Sequence, residues 1–399
     1  MRRFKRKKKT IGIIRDDSET GDELNKNDYI SSLPLDLIIE IIAKLPLKSI
    51  PELVFVSKRW SAIVRGKDLT DSFISRSSSR PSLLLTLGNH FIRGFHWCSQ
   101  EDPSCGNRRT LIPRDPMFYF FTPVRGLICG EARSDDLWIL DLARYDYVSP
   151  VVCNPSTGQF LTLPRGPRLR TNGRCPDTLT SFLGYDPVND VYTVLCMTTP
   201  YDYGQVFVSQ EHQVFTLGRK TWRRVRCKQP HCPATDSLCR DGVIYYGAWY
   251  DSHEERSLLM SFDLRSQDFG VTELPPGVNI LHFRHTALVK YHETVALVDR
   301  SRTGDFDLWV LKDAKKHKWS KISVLLPLVE GNDAFKCKGT ISTGELIFAP
   351  PWNAMPYFIL YYDPKEKSVR RVDIKAIRTL FGPTECHLDH VEIPLFISR

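Results

Sequence analysis

The first sustained apolar periodicity in the chain starts at Leu33. Ile38, Ile41, Ile42 and Leu45 fall at i, i+3, i+4 and i+7, one stripe of a helix. Pro34 suits a first turn, where its missing N–H costs nothing, Asp36 sits at the positive end of the dipole, and Pro46 closes the run. A second helix is predicted from Ser49-Ile50-Pro51-Glu52, which has the spacing of a capping box. Leu53, Val56, Trp60 and Val64 continue it at helical intervals to a stop at Gly66. Residues 33–65 are therefore expected to form a helical hairpin. It is too small to bury a sufficient core alone, so its apolar excess should face something else.

Beyond residue 80 the texture changes. Ser75-Arg76-Ser77-Ser78-Ser79-Arg80-Pro81 reads as a linker, and short β-prone runs follow: 82–87, 126–129, 137–142, 190–197, 243–249, 258–264, 294–298, 308–311, 345–349 and 357–362. One unit recurs loosely: an apolar strand ending in Asp or Asn, a turn, then a strand opening on an aromatic or aliphatic residue. It appears at Asn154 to Phe160, Asp263 to Phe269, Asp313 to Trp319 and Asp363 to Val369, the last three spaced by about 50 residues. That is the period of four-stranded propeller blades, of which residues 82–399 would hold about six. Hairpins in a sandwich are the competing architecture.

Composition changes this picture little. The chain is 42% hydrophobic and 25% charged, too apolar for a mostly disordered protein. The most apolar stretch, Leu35 to Leu47, is cut by Asp36, Glu40, Lys44 and Pro46, so a membrane span is not expected; nor is a secretory signal, since charge returns at Arg15 directly after Ile11 to Ile14. Net charge is +9, but Arg2, Arg3, Lys5, Arg6, Lys7, Lys8 and Lys9 carry seven of those charges, leaving +2 for the rest. A basic nucleic-acid surface is therefore not implied. The block sits in a polar tail, residues 1–28, read as disordered, and has the make-up of a nuclear localisation signal, with nucleus and secondarily cytoplasm as the expected locations. Eleven cysteines without a CxxC pair read as reduced, mostly buried thiols.

Leu33-Pro34-x-Asp36-Leu37-x-x-Glu40-Ile41-Ile42-x-Lys44-Leu45-Pro46-x-Lys48-Ser49, followed by Val56-Ser57-Lys58-x-Trp60, resembles an F-box. Two positions depart from the family's usual pattern: Ser57 stands in place of Cys, and Pro51-Glu52 in place of an aliphatic–basic pair. The region from about 82 to 375 resembles the F-box-associated, kelch-related domain of plant F-box proteins. Gly184-Tyr185-Asp186-Pro187, Met260 to Ser266, Asp307 to Leu311 with Trp319-Ser320, and Tyr361-Tyr362-Asp363-Pro364 carry that resemblance. It implies a multidomain chain: tail 1–28, an all-α F-box at 29–74, linker 75–81 and an all-β, propeller-like domain at 82–399. It also implies the substrate-recognition subunit of a cullin-based SCF ubiquitin ligase, not itself an enzyme. The F-box would bind a Skp-type adaptor through Leu33, Pro34, Ile38, Ile41, Leu45, Pro46, Leu53, Val56 and Trp60, and the β domain would recruit an unknown client.

Chemistry of other classes has little support. P-loop, dinucleotide-binding, nucleophile-elbow and HExxH motifs are absent. Cys227, His231, Cys232 and Cys239, with Cys386, His387 and His390 further on, match no ordinary zinc spacing, so neither metal nor cofactor is expected. His282 and His285 are read as structural, Glu254-Glu255 as a solvated turn, and Trp222, Trp309 and Trp319 as blade core. Segments 251–256 and 331–336 are candidate client loops. A propeller binding a carbohydrate or other small ligand, and a scaffold acting outside any ligase, stay open as alternatives.

Overall fold

The computed structural model describes residues 33–88, 93–103, 108–111, 117–133, 149–164, 178–199, 201–202, 205–206, 209, 211–250, 256–280, 286–302, 305–325, 335–350, 356–374 and 385–394. The basic block at residues 2–9 and the expected strand at 137–142 lie outside them.

Four short helices open the described chain: α1 (Leu35–Ile42), a 3₁₀ helix (Leu47–Phe55), α2 (Lys58–Arg65) and α3 (Lys67–Ser78). They enclose Ile38, Ile39, Ile42, Ile50, Val64, Leu69 and Phe73. The helix expected from the Ser49/Glu52 box does not form as read. Pro51 lies inside the segment and removes an amide donor, and the chain takes the tighter 3₁₀ form. The α-helix begins afresh at Ser57, whose extended backbone (φ −161°, ψ 167°) and hydroxyl, accepting from the Trp60 amide at 3.3 Å, make it the N-cap of α2. The expected linker is likewise helical over 75–78, the last turn of α3. Leu69, Thr70 and Phe73 are buried in the module, while Ile74 packs on the β domain, so tertiary contact overrides the modest helix propensity of a serine-rich segment.

The β domain is a series of antiparallel meanders. Its strands are β1 (Ser82–Gly88), β2 (Arg93–Ser99), β3 (Arg108–Leu111), β4 (Met117–Phe120), β5 (Ile128–Arg133), β6 (Ser149–Asn154), β7 (Gln159–Thr162), β8 (Thr178–Asp186) and β9 (Val191–Thr199). Next come a two-stranded ribbon of β10 (Tyr201–Asp202) and β11 (Gln205–Val206), then β12 (Glu211–Thr216), β13 (Arg223–Val225), β14 (Cys232–Arg240), β15 (Val243–Trp249), β16 (Ser257–Asp263) and β17 (Phe269–Glu273). The last are β18 (Thr286–Tyr291), β19 (Thr294–Arg302), β20 (Asp305–Asp313), β21 (Lys318–Leu325), β22 (Lys336–Thr340), β23 (Leu346–Ala349), β24 (Phe358–Asp363), β25 (Ser368–Asp373) and β26 (Glu385–His390).

Four sheets have four strands, in the orders β26-β1-β2-β3, β4-β5-β6-β7, β8-β9-β12-β13 and β14-β15-β16-β17. An eight-stranded sheet consists of two further meanders, β18 to β21 and β22 to β25, joined by one parallel pair, Lys290 with Gly339. Gly339 permits that approach: its φ is +114°, and a Cβ there would lie 2.4 Å from the Lys290 carbonyl oxygen. Successive meanders touch in order, β1 on β4, β5 on β8, β8 on β14, β14 on β18, β18 on β22 and β22 on β26. The meanders thus close into a ring, fastened where the last strand, β26, pairs antiparallel with the first, β1. This all-β ring is the propeller-type architecture anticipated from the 50-residue recurrence, and sandwich packing is not what the strands adopt.

The recurring sequence unit has a physical basis. The side chains of Asn154, Asp186, Asp263, Asp313 and Asp363 each accept a hydrogen bond from the amide two residues on, at 2.7–3.0 Å. Four residues after each of these acceptors comes a left-handed residue: Gly158, Asp190, Gln267, His317 and Lys367. The pattern read from sequence is therefore one tight turn used repeatedly.

Candidate functional site

The helical module is apolar on the outside as well as the inside. Ile38, Ile39 and Ile42 of α1 point into its core, Ile38 being 1% exposed, whereas Leu37, Ile41 and Leu45 follow each other on the outer side, 47%, 49% and 37% exposed. Leu35 is also open, as are Phe55 (80%) and Val56 (63%) at the end of the 3₁₀ helix. A short helix covered on one face by its own hairpin leaves its second stripe to solvent.

The nine residues expected to meet an adaptor divide accordingly. Pro34, Ile41, Leu45, Pro46 and Val56 are exposed, and Leu33, Leu53 and Trp60 are partly buried against the module's core. Ile38 is a correction: it is a core residue and offers nothing to a partner. Leu35, Leu37 and Phe55 are exposed apolar residues of the same module that the expected set does not include. Periodicity placed one stripe on α1 but could not tell which side the rest of the module would cover.

Helix α3 joins this module to the ring. Asp71 pairs with Arg125, the Ser77 hydroxyl accepts from the Glu392 amide at 3.2 Å, and Ile74 packs against the core cluster that includes Leu127, Tyr185, Tyr192 and Ile393. Arg125 is itself held, its carbonyl accepting from the Tyr192 hydroxyl at 2.8 Å and its guanidinium lying 4.3 Å from the centre of the Tyr185 ring. Arg125 belongs to the β4–β5 connection and residues 391–393 follow β26, so the module docks where first strands turn into second ones. In an antiparallel meander the third-to-fourth turns lie at that same end. The Asx turns belong to these two classes, so the helical module shares its face with the short, tight turns. Connections from second to third strand, and from one meander to the next, run at the far end. Of the expected client segments 251–256 and 331–336, only Arg256, Phe335 and Lys336 fall among the described residues.

The ring's inner strands carry charge. Lys336 and Lys338 of β22 reach Glu385 of β26 at 2.9 and 2.6 Å, and Lys290 of β18 reaches Asp389 at 3.0 Å. Burial would raise the Glu385 carboxyl, yet the two lysines hold it well below the usual carboxylate range. On the same strand, burial takes His387 down to about 3 and His390 to about 4. Of the tryptophans read as core, Trp222 donates to the Pro164 carbonyl at 2.8 Å and Trp319 to that of Glu273 at 2.9 Å, each tying its meander to the preceding one. Trp309 is partly buried against Val278, Ile280 and Leu297.

Of the thiols and imidazoles singled out in the sequence, Cys227 and His231 come together, Sγ to Nδ1 3.7 Å, and His212 joins them. Cys232 and Cys239 go elsewhere, the latter accepting from the Tyr185 amide, while Cys386 is buried in the core beside Leu83 and Ile359. His212 was missed because fifteen residues and a β-turn separate it from Cys227. Residues 254–255, 282 and 285 lie outside the described residues.

Two family models match the chain: an F-box domain over residues 30–72 and an F-box associated beta propeller domain over 82–392. An F-box/kelch-repeat protein of Arabidopsis thaliana is 39% identical over 93% of this chain and 95% of its own length. The F-box protein DOR of the same plant is 31% identical over 92% and 95%, and a third Arabidopsis F-box protein is 30% identical over 98% of both.

Proposed function

The chain belongs to the plant F-box proteins that carry an F-box-associated β-propeller domain, and from that premise we propose that it is a non-catalytic substrate receptor of a cullin-based SCF ubiquitin ligase. An F-box implies a Skp-type adaptor as partner. The observation that carries the reading is the outward stripe Leu37, Ile41 and Leu45, with Phe55 and Val56: a small domain keeps large apolar side chains in water where a helical partner would cover them. The six meanders then serve as six blades. Their far face, with its longer connections, would hold the client, while the face of tight turns carries the F-box. The chain would act by proximity, raising the effective concentration of client lysines near a ubiquitin-charged enzyme without bond chemistry of its own. The basic block at residues 2–9 would direct it to the nucleus.

Tagged full-length protein purified from plant cells tests this, with mass spectrometry of what accompanies it. Adaptor and cullin should both be recovered, and proteins enriched only under proteasome inhibition are the clients. Recovery of adaptor without cullin would favour a scaffold outside the ligase, and recovery of neither would overturn the reading.

A further inference from the structure

The geometry points to a metal site that the family assignment does not supply: we propose that His212, Cys227 and His231 bind one Zn²⁺ ion. His212 is the second residue of β12, and the other two lie in the connection from β13 to β14. Their ligand atoms are all within 4.8 Å of one another. Tetrahedral zinc with Zn–S of about 2.3 Å and Zn–N of about 2.0–2.1 Å sets nitrogen and sulfur roughly 3.6 Å apart, and Cys227 Sγ lies 3.7 Å from His231 Nδ1. His212 Nε2 is buried without a hydrogen-bond partner among the described residues, on a side chain 4% exposed. Its ring lies 5.0 Å from that of His231, so a small rotation brings the third donor in.

The surroundings suit such an ion. Two imidazoles and a thiolate are the donor set of a borderline-soft cation, not of Ca²⁺ or Mg²⁺. His231 Nε2 is 2.7 Å from the Tyr246 hydroxyl, the outer partner that fixes a ligating imidazole. Without metal, Cys227 Sγ and His231 Nδ1 both face the Gln229 carbonyl, at 3.0 and 2.8 Å, and donate to it. Binding requires the Gln229 carbonyl, which occupies the Nδ1–H direction of His231, to turn away and free that nitrogen's lone pair, and the thiol to release its proton to solvent. The imidazole proton shifts from Nδ1 to Nε2, where the Tyr246 oxygen accepts it, so one proton leaves per ion bound. The site also has a place in the architecture. The Ser209 amide donates to the His231 carbonyl at 2.8 Å, linking the β9–β12 connection to the β13–β14 connection. Both run at the ring end away from the helical module, so the ion would pin the β13–β14 connection to the start of β12 at that end.

The test is titration of chelator-stripped full-length protein with Co²⁺ as a spectroscopic probe, then Zn²⁺. One equivalent of Co²⁺ should give a thiolate-to-metal charge-transfer band that Zn²⁺ abolishes. Cys227→Ser should remove the band, and His212→Gln should weaken binding at least tenfold. A wild type with no band, or a band undiminished in Cys227→Ser, would overturn the proposal. Should a variant fail to fold, alkylation of the wild type decides: Zn²⁺ must protect the Cys227 peptide from iodoacetamide, and equal labelling with and without Zn²⁺ refutes the site.

Discussion

The two domains treat their apolar side chains in opposite ways. Among the described residues, eight large hydrophobics are exposed; six of them (Leu35, Leu37, Ile41, Leu45, Phe55 and Val56) belong to the helical module, and only Val188 and Val271 to the much larger ring. The ring instead buries its apolar residues between meanders. Phe306, for example, packs against Phe348 with the rings tilted by 57° and their centroids 4.9 Å apart, in a cluster shared by the meanders β18–β21 and β22–β25. Size explains part of the contrast, since a few short helices cannot enclose every apolar side chain they carry. The rest is arrangement. The ring's polar atoms line its centre and its turns, while the module turns a second apolar stripe outward. One domain is finished by folding, and the other keeps apolar surface in water, where the proposed partner would cover it.

The contrast can be broken most severely from the ring's side. Phe306→Ala should cost the β domain about 3–5 kcal/mol, read as a lower melting midpoint in far-UV circular dichroism, because a fully buried ring leaves a cavity. Adaptor binding by the module should survive this change at temperatures where the ring is still folded.

Acidification comes next. His387 and His390 have folded-state pKa values of about 3 and about 4, both depressed by burial. As pH falls below about 6.5 the unfolded chain takes up protons that the native ring refuses, so their contribution is complete above that pH. It is lost from about 6.5 down to about 4 for His390 and about 3 for His387, at up to about 1.4 kcal/mol per pH unit for each. Urea titrations at pH 7.5 and 5 check this, and His390→Phe should flatten the dependence.

Gly339→Ala should cost roughly 1–3 kcal/mol, since it forces a side chain into left-handed backbone against the Lys290 carbonyl. Hydrogen exchange should report the loss first at the junction of β18 and β22.

How far the sequence revealed this architecture follows from the same contrast. Strands with continuous apolar faces, such as β15, β16 and β24, were legible almost residue for residue, and so were the Asx turns, which need Asp or Asn at fixed intervals. The inner strands were not. β14 (Cys-Pro-Ala-Thr-Asp-Ser-Leu-Cys-Arg), β22 (Lys-Cys-Lys-Gly-Thr) and β26 (Glu-Cys-His-Leu-Asp-His) are not among the expected strands, because charged and small residues interrupt their apolar alternation. Helix α3 was hidden for a related reason: its seam with Arg125 and Glu392 is tertiary, and its own residues are mostly Ser, Asp and Arg. On α1 the helix was plain, but Ile38 and Leu37 look alike in sequence. Only packing tells the core residue from the surface one. The joining of His212 to Cys227 and His231 likewise depends on strand pairing.

The smallest structural change tests the central claim most directly. Leu37→Asp with Ile41→Asp alters two exposed positions and should shift stability by no more than about 0.5 kcal/mol each. Calorimetric titration of purified Skp-type adaptor into wild type and this double variant is the measurement. Wild type should bind tightly and the variant at least a hundredfold more weakly, with both proteins melting alike. Equal affinity in the two would mean that the outward stripe is not the docking surface.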